Sequence, residues 1–403
     1  VGTGDTAVTT VTADGTGTEV FSIVGGAEAG MFTINASSGA LAFTATSIDG
    51  VYTVIVKAVN DWGSDTQAIT VTVEAAPAYV GPLDLVPGAK IAAGQRALSA
   101  AMLGQELYTI RRTSDNTTQA FSSDAVTGAA PAAAEIAFVP TTTFQQTGAT
   151  VVDSYQVMLV DATGVYVGQD ISGAGIAAGA RVFSIDSAPV IDLSAPATAT
   201  DAAVTLTFTR NGSYTEIKDQ SGNGLHLLPE GGNPFQECRW DGSAQAGIPS
   251  FGNGEMQSAG AVSFPSGKAT LFMVCKAGAS FKPTNFGNNA MVLLTGGSVA
   301  TAQAYDGTNA AGGDYPAIIN DVDFYVLYTT LEFGDNKFAY NGTVAPENND
   351  QDSGGALSSI ADLQFRITLP SGAEAQEFLA YDGIMSAPNI AAIVANQQAA
   401  YSP

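Results

Sequence analysis

One histidine, His226, and two cysteines, Cys238 and Cys275, are all that this chain of 403 residues holds of those two types. Two cysteines cannot make a disulfide framework; they either bridge neighbouring strands or stay as buried free thiols. A nucleophilic serine would have to find its base in His226, since no other imidazole exists. Cations are scarce as well: Lys and Arg number 14 against 38 Asp and Glu, a formal net charge of −24. Without clustered cations to release counterions, a polyanion is repelled, which argues against nucleic acid and against anionic membranes as partners. No apolar run approaches the roughly 20 residues that span a bilayer, so no membrane insertion is expected. Charged residues make up 13% of the chain, about half the share of an average globular domain. The chain opens at Val1 without Met, a charged n-region or an apolar h-region, as a processed form or a piece of a longer protein would.

What is present reads as β structure. Hydrophobic residues reach 45% and glycine 45 positions, enough apolar surface for two or three cores and many tight turns. Surface polarity then rests on hydroxyls and amides, a texture suited to a secreted or particle-borne β protein. Residues 1–76 carry short alternating runs, "EVFSIVGG", "MFTINASSGALAF", "VYTVIVKAVN" and "QAITVTVEA", separated by Gly, Ser and Asp turns. A Pro-bearing linker follows at 77–82. Residues 143–209 alternate strands with Gly-rich turns. Gly168, Gly173, Gly175 and Gly179 lead straight back into a strand pattern, so they are turn residues and not a phosphate loop, which needs a helix N-terminus behind it. The flanks, 83–142 and 210–403, read as one discontinuous domain interrupted at a loop tip. It closes on a strand, an Asp-Gly turn and a helix that begins after Ser386 and Pro388.

The pattern Phe21-Ser22-Ile23, Phe32-Thr33-Ile34-Asn35, Ser38-Gly39-Ala40-Leu41 and Tyr52-Thr53-Val54 resembles a cadherin-like repeat. That resemblance implies an Ig-type sandwich and raises Ca²⁺ as the one cofactor to consider, with Asn60, Asp61 and Asp65 in "VNDWGSD" as candidates. The family's other acidic motifs are absent, and three scattered oxygens fall short of the about 6–8 that Ca²⁺ takes, so the segment is read as a spacer. The stretch "GQDISGAGIAAGARVFSID" with "IDLSAPATATDAAVTLTF" resembles a small β module of bacteriophage structural proteins. "RALSAAMLGQELYTIRRTSDNTTQAF", "YTEIKDQSGNGLHLLP" and "FLAYDGIMSAPNIAAIVANQQAAY" resemble, in that order, the catalytic sandwich of the glycoside hydrolase family 54 α-L-arabinofuranosidases and the wider concanavalin-like lectin fold. The expected fold class is therefore all-β: multidomain sandwiches, cadherin/Ig-like and concanavalin-like jelly roll, with a small inserted β domain and a short C-terminal helix.

That last resemblance implies two carboxyl groups across a scissile glycosidic bond, roughly 5–5.5 Å apart for a retaining enzyme. The stretch matching the family's nucleophile, "GNNAMVLLTGG" at 287–297, has no carboxylate. In "ITLPSGAEAQEF" Ser371 falls where the family's acid is expected, and Glu374 and Glu377 fit neither the spacing nor the loop. Asp241 and Asp335 are substitutes of weaker pattern, because "GDN" between strand-like runs is a hairpin signal. The loop "KDQSGNGLH" around His226 reads as a turn, since Asp219 and Ser221 can bond their own backbone and Gly222 and Gly224 allow positive φ. No catalytic residue is assigned.

The sequence thus favours a virion-borne or extracellular adhesion protein, a bacteriophage fibre, spike or head decoration, over an enzyme. A host surface glycan and other virion proteins are the expected partners, and a homo-oligomer is compatible. Candidate sugar contacts are Trp240, Asp314, Tyr315, Asp335, Asn336 and Tyr340, with Tyr305 beside them; the competing reading places these aromatics in the core. An arabinofuranosidase-type hydrolase and a bacterial extracellular adhesin are the alternatives.

Overall fold

The computed structural model describes residues 6–14, 17–74, 78–140, 142–187, 189–232, 234, 237–241, 250–276, 290–296, 299–305, 310–316, 325–332, 335–341, 343–345, 349–350 and 360–401. For residues 230, 241, 251, 253, 290–316, 338, 340, 345, 349–350 and 360–373 within that set, only the backbone course is described. The described chain is nearly all β and divides into two units, Val1–Ala78 and Tyr79–Pro403.

In the first unit the alternating runs become strands, as their period of two requires. Val20–Gly25, Gly50–Asn60 and Gly63–Val73 form one antiparallel sheet; Ala7–Thr10, Ala40–Phe43 and Phe32–Ile34 form a second. Each strand turns alternate residues inward, so Phe32, Leu41, Phe43, Tyr52, Val54, Val56, Val71 and Val73 are buried together. The Phe32 and Phe43 rings stack at 4.5 Å, and Tyr52 meets Phe43 edge-on at 5.2 Å. Burying each such side chain is worth about 1.5–3 kcal/mol, which lets a unit this small hold its two sheets.

Among the described residues the larger unit shows three sheets. Thr142–Thr150, Gln156–Leu159, Asp170–Ser172, Val182–Ser187, Val190–Leu193 and Asp201–Arg210 make a six-stranded antiparallel sheet around Val157, Ile171, Val182, Ile191, Leu206 and Phe208. Its Gly-rich run leads into the strand Val182–Ser187 and not into a helix. A four-stranded sheet joins Ala290–Gly296, Val299–Tyr305, Ala310–Pro316 and Asn349–Asp350.

The largest sheet counts twelve strands among the described residues. Its spine is the pairing of Ser250–Phe264 with Ile360–Asp382, broken by register shifts between Gly252 and Gly254, Gln257 and Ala261, and Val262 and Phe264. Such irregularities bend a strand and raise its twist. Alternation along Ala269–Lys276 then splits the interior in two. Leu271 and Cys275 face a core with Tyr108, Tyr214, Trp240 and Phe264, while Phe272 and Val274 face Leu83, Ile393 and Val394. The second core is closed by the helices Pro82–Leu85 and Ala387–Tyr401. The C-terminal helix is present but begins at Ala387, before Pro388 and not after it, because Pro is tolerated in a first turn, where a missing N–H costs nothing. The short helix Ala132–Phe138 has no counterpart in the sequence reading, and it carries a fully buried acid, Glu135.

Candidate functional site

The loop 219–226 is organised by one carboxylate. Asp219 Oδ1 accepts from the backbone N–H groups of Ala92 and Ser221, each at 3.0 Å. Its Oδ2 accepts from Ser221 Oγ at 2.9 Å and from Leu225 N at 3.0 Å. Gly222 and Gly224 sit at φ +87° and +70°, where a β-carbon would strain the turn. His226 Nδ1 accepts from Asp219 N at 3.0 Å, which leaves the ring proton on Nε2. Ser221 therefore donates to the aspartate and not to the imidazole, so the serine-base contact of a nucleophilic site is not made here. Asn223 Nδ2 donates to the carbonyls of Ala89 and Lys90, and Gln220 accepts from Leu98 N and donates to Arg96 O. The loop staples the segment 89–98 to the sheet.

Of the candidate sugar contacts, Trp240, Asp335 and Asn336 have described side chains. Trp240 is a core residue at 7% exposure, and its indole N–H donates to Glu135 Oε2. Asn336 is buried and its Oδ1 accepts from Glu332 N at 3.1 Å. Asp335 is exposed and ion-paired with Lys337 at 3.0 Å, in the turn that joins Tyr325–Leu331 to Lys337–Tyr340. In the sheet, the strands Ala269–Lys276, Ile360–Asp382 and Ser250–Phe264 stand between that turn and the strand of Trp240. Asp314 and Tyr315 lie on Ala310–Pro316 and Tyr305 on Val299–Tyr305, both in the four-stranded sheet. The side chains of Tyr305, Asp314, Tyr315 and Tyr340 lie outside the described residues. So do the side chains of Asp241, Ser371 and the stretch 287–297.

Glu374 and Glu377 are described, and each is engaged. Glu374 accepts from Ser250 Oγ at 2.7 Å and pairs with Lys276 Nζ at 2.9 Å. Glu377 pairs with Arg96 at 3.0 Å and accepts from Gln397 Nε2 at 3.1 Å and Tyr401 Oη at 2.9 Å, both on the C-terminal helix. Glu135, the acid that sequence reading missed, accepts from Tyr108 Oη and Trp240 Nε1, and burial pushes its carboxyl up. Its only sequence signal was a lone acid in the Ala-rich run after Pro131.

Where the six-stranded sheet meets the rest, Arg111 grips Glu237, with Nε at 2.8 Å and 3.1 Å from its two oxygens. Arg239 pairs with Asp170, which also accepts from Asn211 Nδ2. Burial and the neighbouring Arg239 bring the Arg181 guanidinium down to about 10. Arg111 and Gln169 also bond backbone carbonyls, of Val167 and Thr113 respectively, so the seam is closed by charge and amide contacts.

In the first unit Asn60, Asp61 and Asp65 lie at the tip of the hairpin Gly50–Asn60/Gly63–Val73. Asn60 Oδ1 accepts from Trp62 N at 3.0 Å and Asp65 Oδ1 from Thr66 N at 2.8 Å. Among the described residues no group of three or more His, Cys, Asp or Glu is placed to hold a metal ion. Beside the tip, a groove of about 1000 Å³ opens between this hairpin and residues 11–14, with Trp62 on its wall. Trp62 is 83% exposed.

No family model and no curated protein matches the chain. Among solved structures it is similar to a GH54 α-L-arabinofuranosidase soaked with a cyclic sulfate inhibitor, at 13% identity and TM-score 0.46 over 80% of this chain and 66% of that one. It is also similar to an arabinofuranosidase complexed with arabinofuranosyl-α-1,2-xylobiose, at 14% identity and TM-score 0.40 over 80% of this chain and 65% of that one. The chain spans 65–66% of the length of these two proteins.

Proposed function

We propose that this chain is a non-catalytic adhesion or structural protein that binds cell-surface carbohydrate. One observation carries the non-catalytic half: the four buried carboxylates described in the larger unit are all committed. Glu377 is paired with Arg96, Glu237 with Arg111, Glu135 with two ring donors, and Asp219 with its own loop. A glycosidase needs one carboxyl free to attack or to activate water and a second free to give a proton. Carboxylates held by cations and by several donors suit neither task.

Neutral glycans fit the charge of −24 better than anionic ones, because 14 Lys and Arg against 38 Asp and Glu leave the repulsion unbalanced. The finer reading, a bacteriophage fibre, spike or head decoration with a cadherin-like spacer and a phage-type insert, rests on the sequence patterns of residues 1–76 and 143–209. Other virion proteins would then be the attachment partners. The test is a glycan array with the full chain, beside a hydrolysis assay on arabinofuranosides. Binding without turnover is expected. Turnover abolished by one Asp or Glu substitution would make the chain a hydrolase instead.

A further inference from the structure

Trp62 occupies a position that neither the turn nor the core requires. The hairpin pairs Asn60 with Gly63, leaving Asp61 and Trp62 as the two turn residues. Turn chemistry there is supplied by Asn60 Oδ1, which caps the Trp62 N–H; Gly, Asn or Asp would serve the second position as well. The indole packs into none of the buried clusters and stands 83% exposed. A large flat apolar ring left in water at a groove wall is the usual platform of a binding surface.

The groove beside it is built for hydroxyl partners. Asp14, Glu19, Asn60, Asp65 and Gln67 line it, with no Lys or Arg among its lining residues. Glu19 lines the groove, and its Oε1 is shut off from solvent with no hydrogen-bond partner among the described residues, so a hydroxyl can satisfy it only if the side chain turns into the groove. Carboxylates and amides accept from sugar hydroxyls, and the C–H face of a sugar ring covers an indole. The same carboxylates reject sulfated, phosphorylated or carboxylated sugars by like-charge repulsion.

We infer that this groove is the saccharide site of the protein, taking a short saccharide free of anionic groups against Trp62. The inference rests on the carbohydrate-binding reading above and moves the site from the larger unit to the first.

The chain has two tryptophans, and the other, Trp240, is buried, so each can report separately. The full chain is screened against an array of neutral, amine-bearing and anionic oligosaccharides, and the best binder is titrated while acrylamide quenching of tryptophan emission is followed. Binding is expected to protect Trp62 from quenching, most clearly in a Trp240→Phe background. Trp62→Ala is expected to weaken binding at least about tenfold, as loss of a central aromatic anchor does. Trp62→Phe should restore part of it, and Glu19→Gln should weaken binding with the fold intact by circular dichroism. Amine-bearing sugars that bind more tightly at low salt than neutral ones would support the carboxylate lining.

If no oligosaccharide binds the wild-type chain, the carbohydrate reading itself fails. If one binds and Trp62→Ala changes its affinity less than about twofold, only the placement in this groove is overturned. Self-association that Trp62→Ala abolishes, without any sugar bound, also overturns it, because the groove would then seat a second copy.

Discussion

Arg96 Nε lies 3.0 Å from Glu377 Oε2, both side chains are withdrawn from solvent, and the two residues are 281 positions apart in the chain. Around this pair gather Gln397 and Tyr401 of the last helix, Tyr79 at the start of the larger unit, and Asn396, which accepts from Arg96 Nη2 at 2.7 Å. The beginning and the end of the unit are thereby tied to one strand of the central sheet.

Removing one member leaves the other charged and buried, which costs about 3–5 kcal/mol. Arg96→Met is therefore expected to lower the stability of the larger unit by that amount in urea, followed by the emission of buried Trp240. The double variant Arg96→Met/Glu377→Gln should recover part of the loss, since no lone charge remains. Additive effects of the two single changes would contradict a coupled pair.

Glu135 gives a pH signature. Burial raises its carboxyl above the ordinary 4.5, so the folded chain holds that proton more tightly than the unfolded chain. Its contribution is full below 4.5 and is lost as pH rises through the folded value. Glu135→Gln, fixed in the neutral form, should gain on the wild type as pH rises from about 4.5 to 7. Glu237 and Asp170, also raised by burial, titrate in both proteins and cancel in the difference. Asp115 and Asp124 act in the opposite sense, held low by Arg112 and by backbone N–H groups, and they cancel likewise. Parallel stability curves for the two proteins would show that Glu135 does not titrate with folding.

Cys238 and Cys275 are both free and buried, on the strands Cys238–Asp241 and Ala269–Lys276. Burial pushes the Cys275 thiol up to about 12 and the Cys238 thiol higher still. A thiol reagent such as DTNB should find neither in the native chain, because the reactive species is the thiolate. Two equivalents should appear on denaturation. A single equivalent released from the native protein at the rate of a free thiol would contradict the burial of one of them.

Much of the fold was legible because its signals are local. Alternation marked the strands of the first unit; Pro388 marked the last helix; Asp219, Ser221 and the glycines around them spelled out a turn. The surroundings of the two tryptophans were not legible in the same way. Trp240 reads as a platform in "RWDGS", yet it sits between the strands Gly212–Ile217 and Ser250–Phe264 and bonds an acid 105 residues earlier. Trp62, which the sequence did not single out, stands at a hairpin tip and is the exposed one.

The sequence by itself determined the strand pattern, the turns, the excess of negative charge and the poverty of histidine and cysteine, since each of these is a property of short stretches or of the whole composition. Only the tertiary structure decided which tryptophan meets water, which acids are paired and where a groove opens. Burial and pairing depend on strands brought together from distant parts of the chain, and the residues beside Trp240, Glu135 or Glu377 in sequence are not those that surround them in space.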